Sequence, residues 1–131
     1  SGQDHLAIYL HNGPEYIESM LGAFKARVAP FNVNYRYVAE ELRYLLDNAK
    51  ARIVVYHDAF APTLAEVLAD LPDIALLVQV PDDSGNDLLP GAIRYDDLLA
   101  EGSIHFGAGQ RIQATALFAD MVSFTTMPRL Q

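Results

Sequence analysis

The 131-residue sequence has no cysteine. Disulfides, thiolate metal sites and a cysteine nucleophile are therefore excluded. No apolar run reaches the roughly 18–20 residues that a membrane-spanning helix needs. No basic cluster precedes an apolar run at the start, so no signal peptide is legible. Basic residues are few. Nine Lys and Arg stand against 17 Asp and Glu, for a formal net charge of -8. That balance repels phosphate backbones and argues against nucleic acid or an anionic membrane as partner. The expected location is cytoplasmic. Glycine is also sparse, with eight residues in the chain, and no glycine-rich phosphate loop follows a strand.

What is present is globular. Half of the residues are hydrophobic and a fifth are charged, which suits one domain with a real core. Apolar, β-branched or aromatic runs alternate with helical patterns. Leu6–Leu10 reads as a buried strand. Asn12-Gly13-Pro14-Glu15 opens a helix, with Pro14 at the first helical position and Glu15 where the macrodipole favours negative charge. Ile17, Met20, Leu21, Phe24 and Val28 follow helical spacing, with Lys25 and Arg27 in the last turn. Residues 29–33 form a short second strand or extended segment, whose start Pro30 marks as at an edge or irregular. A second helix is expected over Val38–Lys50, striped by Val38, Leu42, Leu45, Leu46 and Ala49. Residues 52–56 form a third strand. Ala61-Pro62 opens a third helix, striped by Leu64, Val67, Leu68 and Leu71, and residues 75–80 form a fourth strand.

This β-α alternation predicts an α/β fold with a mainly parallel sheet and helices on its faces. The strands are nearly uniformly apolar, as in a sheet buried on both sides. Leu21, Phe24, Leu42, Leu46, Leu64 and Leu68 are expected to point inward. Pattern is lost after Val80. An acidic turn-rich loop follows, then a short helix over 95–100, a loop over 102–109, and a fifth strand over 112–118. The expected division is 4–101 as the α/β subdomain and 102–131 as an atypical tail, either an extra strand or a junction segment.

Candidate chemistry is thin. His5, His11, His57 and His105 are scattered, without metal-ligand spacing, and read as loop or strand-end surface residues. Glu40-Glu41 and Asp96-Asp97 are adjacent carboxylates, which do not face each other on a helix and suit helix starts. Asn12-Gly13-Pro14 could offer N–H groups to an anion, but with one glycine and no lysine it reads as a capping turn. Tyr35-Arg36-Tyr37 could line a groove or pack at a helix start, and the sequence leaves both open. The expectation is that no residue here is catalytic, cofactor-binding or metal-ligating.

Several stretches resemble one family. Asp4-His5-Leu6-Ala7-Ile8-Tyr9-Leu10-His11-Asn12-Gly13-Pro14-Glu15-Tyr16 resembles the strand and Asn-x-Pro-Glu-Tyr helix start near the beginning of AMP-forming acyl-CoA synthetases. Residues 22–36, with Pro30, Asn32 and the Tyr35-Arg36 pair, look like that family's next stretch. Ala39-Glu40-Glu41-Leu42-Arg43-Tyr44-Leu45-Leu46 and Ala51-Arg52-Ile53-Val54-Val55-Tyr56 are similar to the helix and strand after it. The resemblance covers about residues 4–100 and is nearest to fatty-acid or sterol-type members. It implies the N-terminal subdomain of the adenylate-forming fold. The implied family reaction is ATP-dependent activation of a carboxylic acid to an acyl-adenylate, then transfer to coenzyme A, with ATP, Mg and coenzyme A as the full-length requirements.

The family's phosphate loop ending in Pro-Lys-Gly, its ribose-binding acid, its hinge and its C-terminal lysine have no counterpart here. The resemblance thus implies a truncated synthetase, inactive alone. The apolar surface that such a fragment leaves uncovered makes a homodimer, or the remaining part of the synthetase, the expected partner. Val38 departs from the family by standing where relatives cap the Ala-Glu-Glu-Leu helix with Thr or Ser. Residues 114–126 resemble the opening strand of class III nucleotidyl cyclases, with Asp120 at the metal-binding position, but the rest of such a domain is missing. Two other readings compete: a partner-binding module without catalysis, and a flavodoxin-like ligand-binding protein that would bind at the strands' C-terminal ends.

Overall fold

The computed structural model describes the backbone of residues 5–102 and the side chains of 5–98. The chain runs β1 (His5–Tyr9), α1 (Pro14–Lys25), β2 (Ala29–Asn32), α2 (Ala39–Asn48), β3 (Ala51–His57), α3 (Ala61–Val67), β4 (Leu76–Val80), β5 (Ile93–Arg94) and α4 (Tyr95–Gly102). Short 3-10 turns flank α3 on both sides. The strands form one wholly parallel sheet in the order β2-β1-β3-β4-β5. Parallel strands need crossovers: α1, α2 and α3 lie in the first three, the 81–92 loop makes the one to β5, and α4 follows the last strand. No helix among the described residues is long and apolar enough to cross a membrane.

Side chains alternate across the sheet and feed two cores. Leu6, Ile8, Ile53, Val55, Val78 and Val80 face the side covered by α1 and α4. Ala7, Tyr9, Val54, Tyr56 and Leu77 face the side covered by α2 and α3. Leu42, Leu46 and Leu64 are buried there as expected, and Leu68 is half-buried. β2 is the edge strand at one end of the sheet, and Pro30 lies in it. That placement suits a residue without an N–H.

The expected orientation of α1 is wrong. Leu21 and Phe24 do not point inward: they are 47% and 60% exposed, and Ile17 is 56% exposed. Glu18, Ser19, Gly22 and Ala23 face the sheet instead. At about 100° per residue, 18, 19, 22 and 23 lie opposite 17, 21 and 24. Small residues bring the helix close to the sheet, and the Tyr95 hydroxyl donates to buried Glu18 Oε1 at 2.5 Å.

Smaller corrections concern helix ends. Arg27 is not in the last turn of α1 but beyond it, at φ 63°. There its N–H reaches the Phe24 carbonyl at 3.1 Å and the Val28 N–H reaches Ala23 at 2.8 Å, closing a Schellman-type cap without glycine. Lys50 takes the same left-handed conformation after α2, at φ 56°. Val38 precedes α2 as an exposed cap residue rather than joining its stripe. The missing side-chain oxygen is offset from the other direction, because Glu41 Oε1 accepts the Val38 N–H at 3.1 Å.

The loop after β4 returns to the sheet as β5, a two-residue strand with no alternation to read. The expected strand over 112–118, the tail over 102–131, His105 and Asp120 fall wholly or almost wholly outside the described residues.

Candidate functional site

β1 and β3 are neighbours, yet the chain leaves them for opposite faces, to α1 and α3. In open parallel sheets this reversal leaves a crevice at the carboxyl ends of the strands. His11 lies just past the end of β1, and His57 is the last residue of β3. The register that sets Tyr9 beside Tyr56 brings the two histidines together. The His11 backbone N–H donates to His57 Nδ1 at 3.0 Å, with ring centroids 5.5 Å apart. An Nδ1 that accepts leaves the proton of the neutral ring on Nε2.

Three further rings complete the cluster. Tyr35, from the segment between β2 and α2, lies 4.8 Å from the His11 ring. Phe60 lies 4.9 Å from it and stacks on Tyr9 at 4.5 Å and 11°. Arg36 sits over the Tyr35 ring at 6.0 Å. Sequence reasoning treated these histidines as scattered, because 46 residues separate them. Their shared position at strand ends was the one available signal.

Burial holds His57 below the usual imidazole range; the Asp82 charge opposes this and His11 reinforces it. Burial alone would raise Asp82, but hydrogen bonds from Ser84 and from the Ala59 N–H overcome it, and its carboxyl lies below the usual range. No hydrogen bond joins either histidine to a hydroxyl or carboxylate among the described residues. The cluster can stack a ring or donate hydrogen bonds, but its described residues hold no nucleophile–base pair.

A second polar group sits beneath the ends of β3 and β4. The Tyr56 hydroxyl donates to Gln79 Oε1 at 2.6 Å, and Gln79 Nε2 donates to Asp58 Oδ1 at 2.7 Å and the Asp87 carbonyl at 3.1 Å. Asp58 also accepts the Asp82 N–H, Asn86 reaches the Asp58 carbonyl, and Leu89 N–H reaches Gln79. Burial, with the charge of Asp58, pushes the Tyr56 hydroxyl far above the usual phenol range, and Arg94 opposes this. This network fastens the 81–92 loop to the sheet, so its buried polar atoms are structural.

The remaining candidates separate. At Asn12-Gly13-Pro14 the geometry is that of a helix start: Gly13 is extended, Pro14 occupies the first turn, and the Tyr16 N–H reaches the Gly13 carbonyl at 3.1 Å. Pro14 removes one N–H, and the Glu15 carboxylate in that first turn disfavours an anion. The described residues therefore do not fit nucleotide phosphates at that turn. No group of three or more His, Asp or Glu among them could hold a metal ion such as Mg.

Glu40 pairs with Arg43, and Glu41 serves the α2 cap, so the two carboxylates act apart. Asp96 and Asp97 lie in the first turn of α4. Tyr37 leaves the switch-point cluster. It packs half-buried against the α2/α3 core and lines an open cavity of about 440 Å³ with Glu40, Glu41, Tyr44 and Leu45. His5 stands at the start of β1, 6.3 Å from the Phe31 ring and at the opposite end of the sheet from the switch point.

Comparison with known proteins follows this architecture. The AMP-binding enzyme family matches residues 1–110. The chain is 56% identical over 102 residues to the medium-chain acyl-CoA ligase Mig of Mycobacterium avium, covering 78% of this chain and 18% of that one. It is 35% identical over 124 residues to a medium/long-chain-fatty-acid–CoA/3-oxocholest-4-en-26-oate–CoA ligase of Mycobacterium tuberculosis, covering 94% and 22%. The chain thus spans about a fifth of the length of these relatives. Among solved structures, acetoacetyl-CoA synthetase from Streptomyces lividans superposes with a TM-score of 0.67 at 16% identity, over 73% of this chain and 16% of that one. At that identity the likeness speaks for the fold alone.

Proposed function

The chain belongs to the AMP-binding enzyme family, and from that premise we propose that it supplies the N-terminal α/β scaffold of an acyl-CoA ligase acting on medium-chain or longer fatty acids. The parent reaction joins the carboxylate to the α-phosphate of ATP with release of pyrophosphate. The coenzyme A thiol then displaces AMP to give the acyl-CoA. ATP, Mg and coenzyme A are requirements of that whole reaction, and the reading takes the protein to be cytoplasmic. The chain by itself is inactive in this reading.

The observation that carries the reading is the 56% identity over 102 residues to the Mycobacterium avium ligase. The site geometry supports a scaffolding rather than a chemical role. The switch-point rings offer a stacking surface, and the described residues hold neither a nucleophile–base pair nor a phosphate cradle.

The test is a chimera in which this chain's residues replace the matching stretch of the Mycobacterium avium ligase. Pyrophosphate release is measured with ATP, coenzyme A and a medium-chain fatty acid. Turnover by the chimera and none by the 131-residue chain is expected. A folded chimera without turnover would overturn the reading, and so would robust turnover by the chain alone.

A further inference from the structure

The outer side of α2 sets two tyrosines among carboxylates. Glu40, Glu41 and Tyr44 are exposed, and their i+3 and i+4 spacing puts them on one face of the helix. Tyr37 stands two residues before the helix. With Leu45, these four line an open cavity of about 440 Å³, a size within the roughly 300–1,000 Å³ of small-ligand sites. One wall is fixed and the other is free. Tyr37 is half-buried against the α2/α3 core, and its N–H reaches the Asn34 carbonyl at 3.1 Å. Tyr44 is 70% exposed. A helix face that meets only water calls for polar and charged side chains, not for a large aromatic ring.

The charge around this cavity has one sign. Glu41 Oε1 accepts the Val38 N–H and Glu40 Oε2 accepts from Arg43, so each carboxylate keeps its second oxygen. Arg43 does not line the cavity. Its guanidinium feels Asp47 and Asp70 as well as Glu40, so the nearby carboxylates outnumber it. The tyrosines add to the same preference, because the face of an aromatic ring is the negative pole of a quadrupole. Rings and carboxylates together repel an anion and select a cation with an apolar body. A bare metal ion is served worse, since it needs several oxygen ligands at once and no group of three or more His, Asp or Glu among the described residues could hold one.

We propose that the cavity of Tyr37, Glu40, Glu41, Tyr44 and Leu45 is a binding site for a small organic ammonium ion. The charged head lies over the tyrosine faces and beside the two carboxylates, and the alkyl stem lies along Leu45. The cavity is open, so the ion keeps part of its hydration and binds weakly, with a Kd on the order of 1 mM. The site is separate from the switch-point rings, and its occupancy does not depend on the acyl-CoA ligase reading. A second copy of this chain, presenting a Lys or Arg, is the rival occupant. The net charge of -8 on each copy argues against it, because two such chains repel.

Backbone amide NMR of the 131-residue chain tests this, with choline as the probe. The controls are potassium chloride at equal ionic strength and dimethylbutanol, which copies the shape of choline without its charge. Choline is expected to give saturable shifts at residues 37–45, and dimethylbutanol to bind at least about tenfold more weakly. Glu40→Gln combined with Glu41→Gln should weaken choline binding about tenfold, since glutamine keeps the Val38 cap and loses the charge. Tyr44→Leu should weaken it about threefold. All three substitutions fall on exposed side chains, and the dispersion of the same spectra reports whether each variant is folded. No saturable shift with choline, or an equal response to dimethylbutanol or potassium chloride, would overturn the proposal. So would choline binding that survives both the glutamine pair and Tyr44→Leu in folded protein. Shifts of the same amides on dilution of the ligand-free chain would give the cavity to a second copy and overturn it as well.

Discussion

On one side of the sheet, α2 and α3 turn Leu42, Leu46, Leu64 and Val67 inward and carry carboxylates in solvent. On the other, α1 turns Glu18, Ser19, Gly22 and Ala23 inward and carries Ile17, Leu21 and Phe24 in solvent. All three helices are amphipathic, and each follows a strand of the same sheet. The first side keeps its leucines inward and leaves Val38 and Tyr44 as its exposed large apolar or aromatic side chains, whereas the second places its large apolar side chains outward and small or polar ones inward. Apolar periodicity marks a helix with two different faces. It does not say that the apolar face meets the nearest sheet.

The sharpest way to break this comparison is truncation on each side. Leu46→Ala should cost about 2–5 kcal/mol, because it empties a fully buried site between α2 and the sheet. Phe24→Ala should stay within about 0.5 kcal/mol, because its side chain already meets water. Urea unfolding of the 131-residue chain measures both. A Phe24→Ala loss as large as that of Leu46→Ala would mean that the α1 face is covered in the isolated chain.

A middle-sized effect probes how α1 is held without large inward side chains. Tyr95→Phe removes the hydroxyl that reaches Glu18 from α4. It should cost about 1–2 kcal/mol, the range for a hydrogen bond to a buried group of this kind. An unchanged urea midpoint would show that the small-residue packing of Gly22 and Ala23 suffices by itself.

The smallest effect lies at the crevice where the two sides part. Burial lowers the His57 pKa in the folded chain. The unfolded chain then binds more protons than the folded one between the two values. Stability contributed by neutral His57 is complete above the unfolded value of about 6.5. It declines as pH falls from there through the lower folded value. The ring is partly open to water, so the slope should be well below one proton. It should disappear in His57→Gln, as read from urea midpoints between pH 7 and 5. An unchanged slope in that variant would assign the loss to other groups.

Much of this fold was legible in the residues. Uniformly apolar strands alternating with helical stripes gave a parallel sheet, and Pro30 narrowed its segment to an edge or an irregularity, because those features rest on local sterics and burial on both faces. The order Pro14-Glu15 gave the start of α1 for the same local reason. β5 was not legible, since two residues, Ile93 and Arg94, carry no periodicity; they join the sheet after a loop fastened by the Gln79–Asp58 network and beside the buried Tyr95 and Leu98. The His11–His57 cluster was not legible either. Forty-six residues of chain separate its members, and only the register between β1 and β3 closes the gap.

The sequence by itself thus determined the order of elements, their parallel arrangement and the family resemblance, all of which follow from local pattern. Tertiary structure alone decided which way α1 turns, which histidines meet and which loop rejoins the sheet. Each of those depends on what a side chain finds beside it once distant segments are packed, and a helix shows the same period whichever of its two faces is buried.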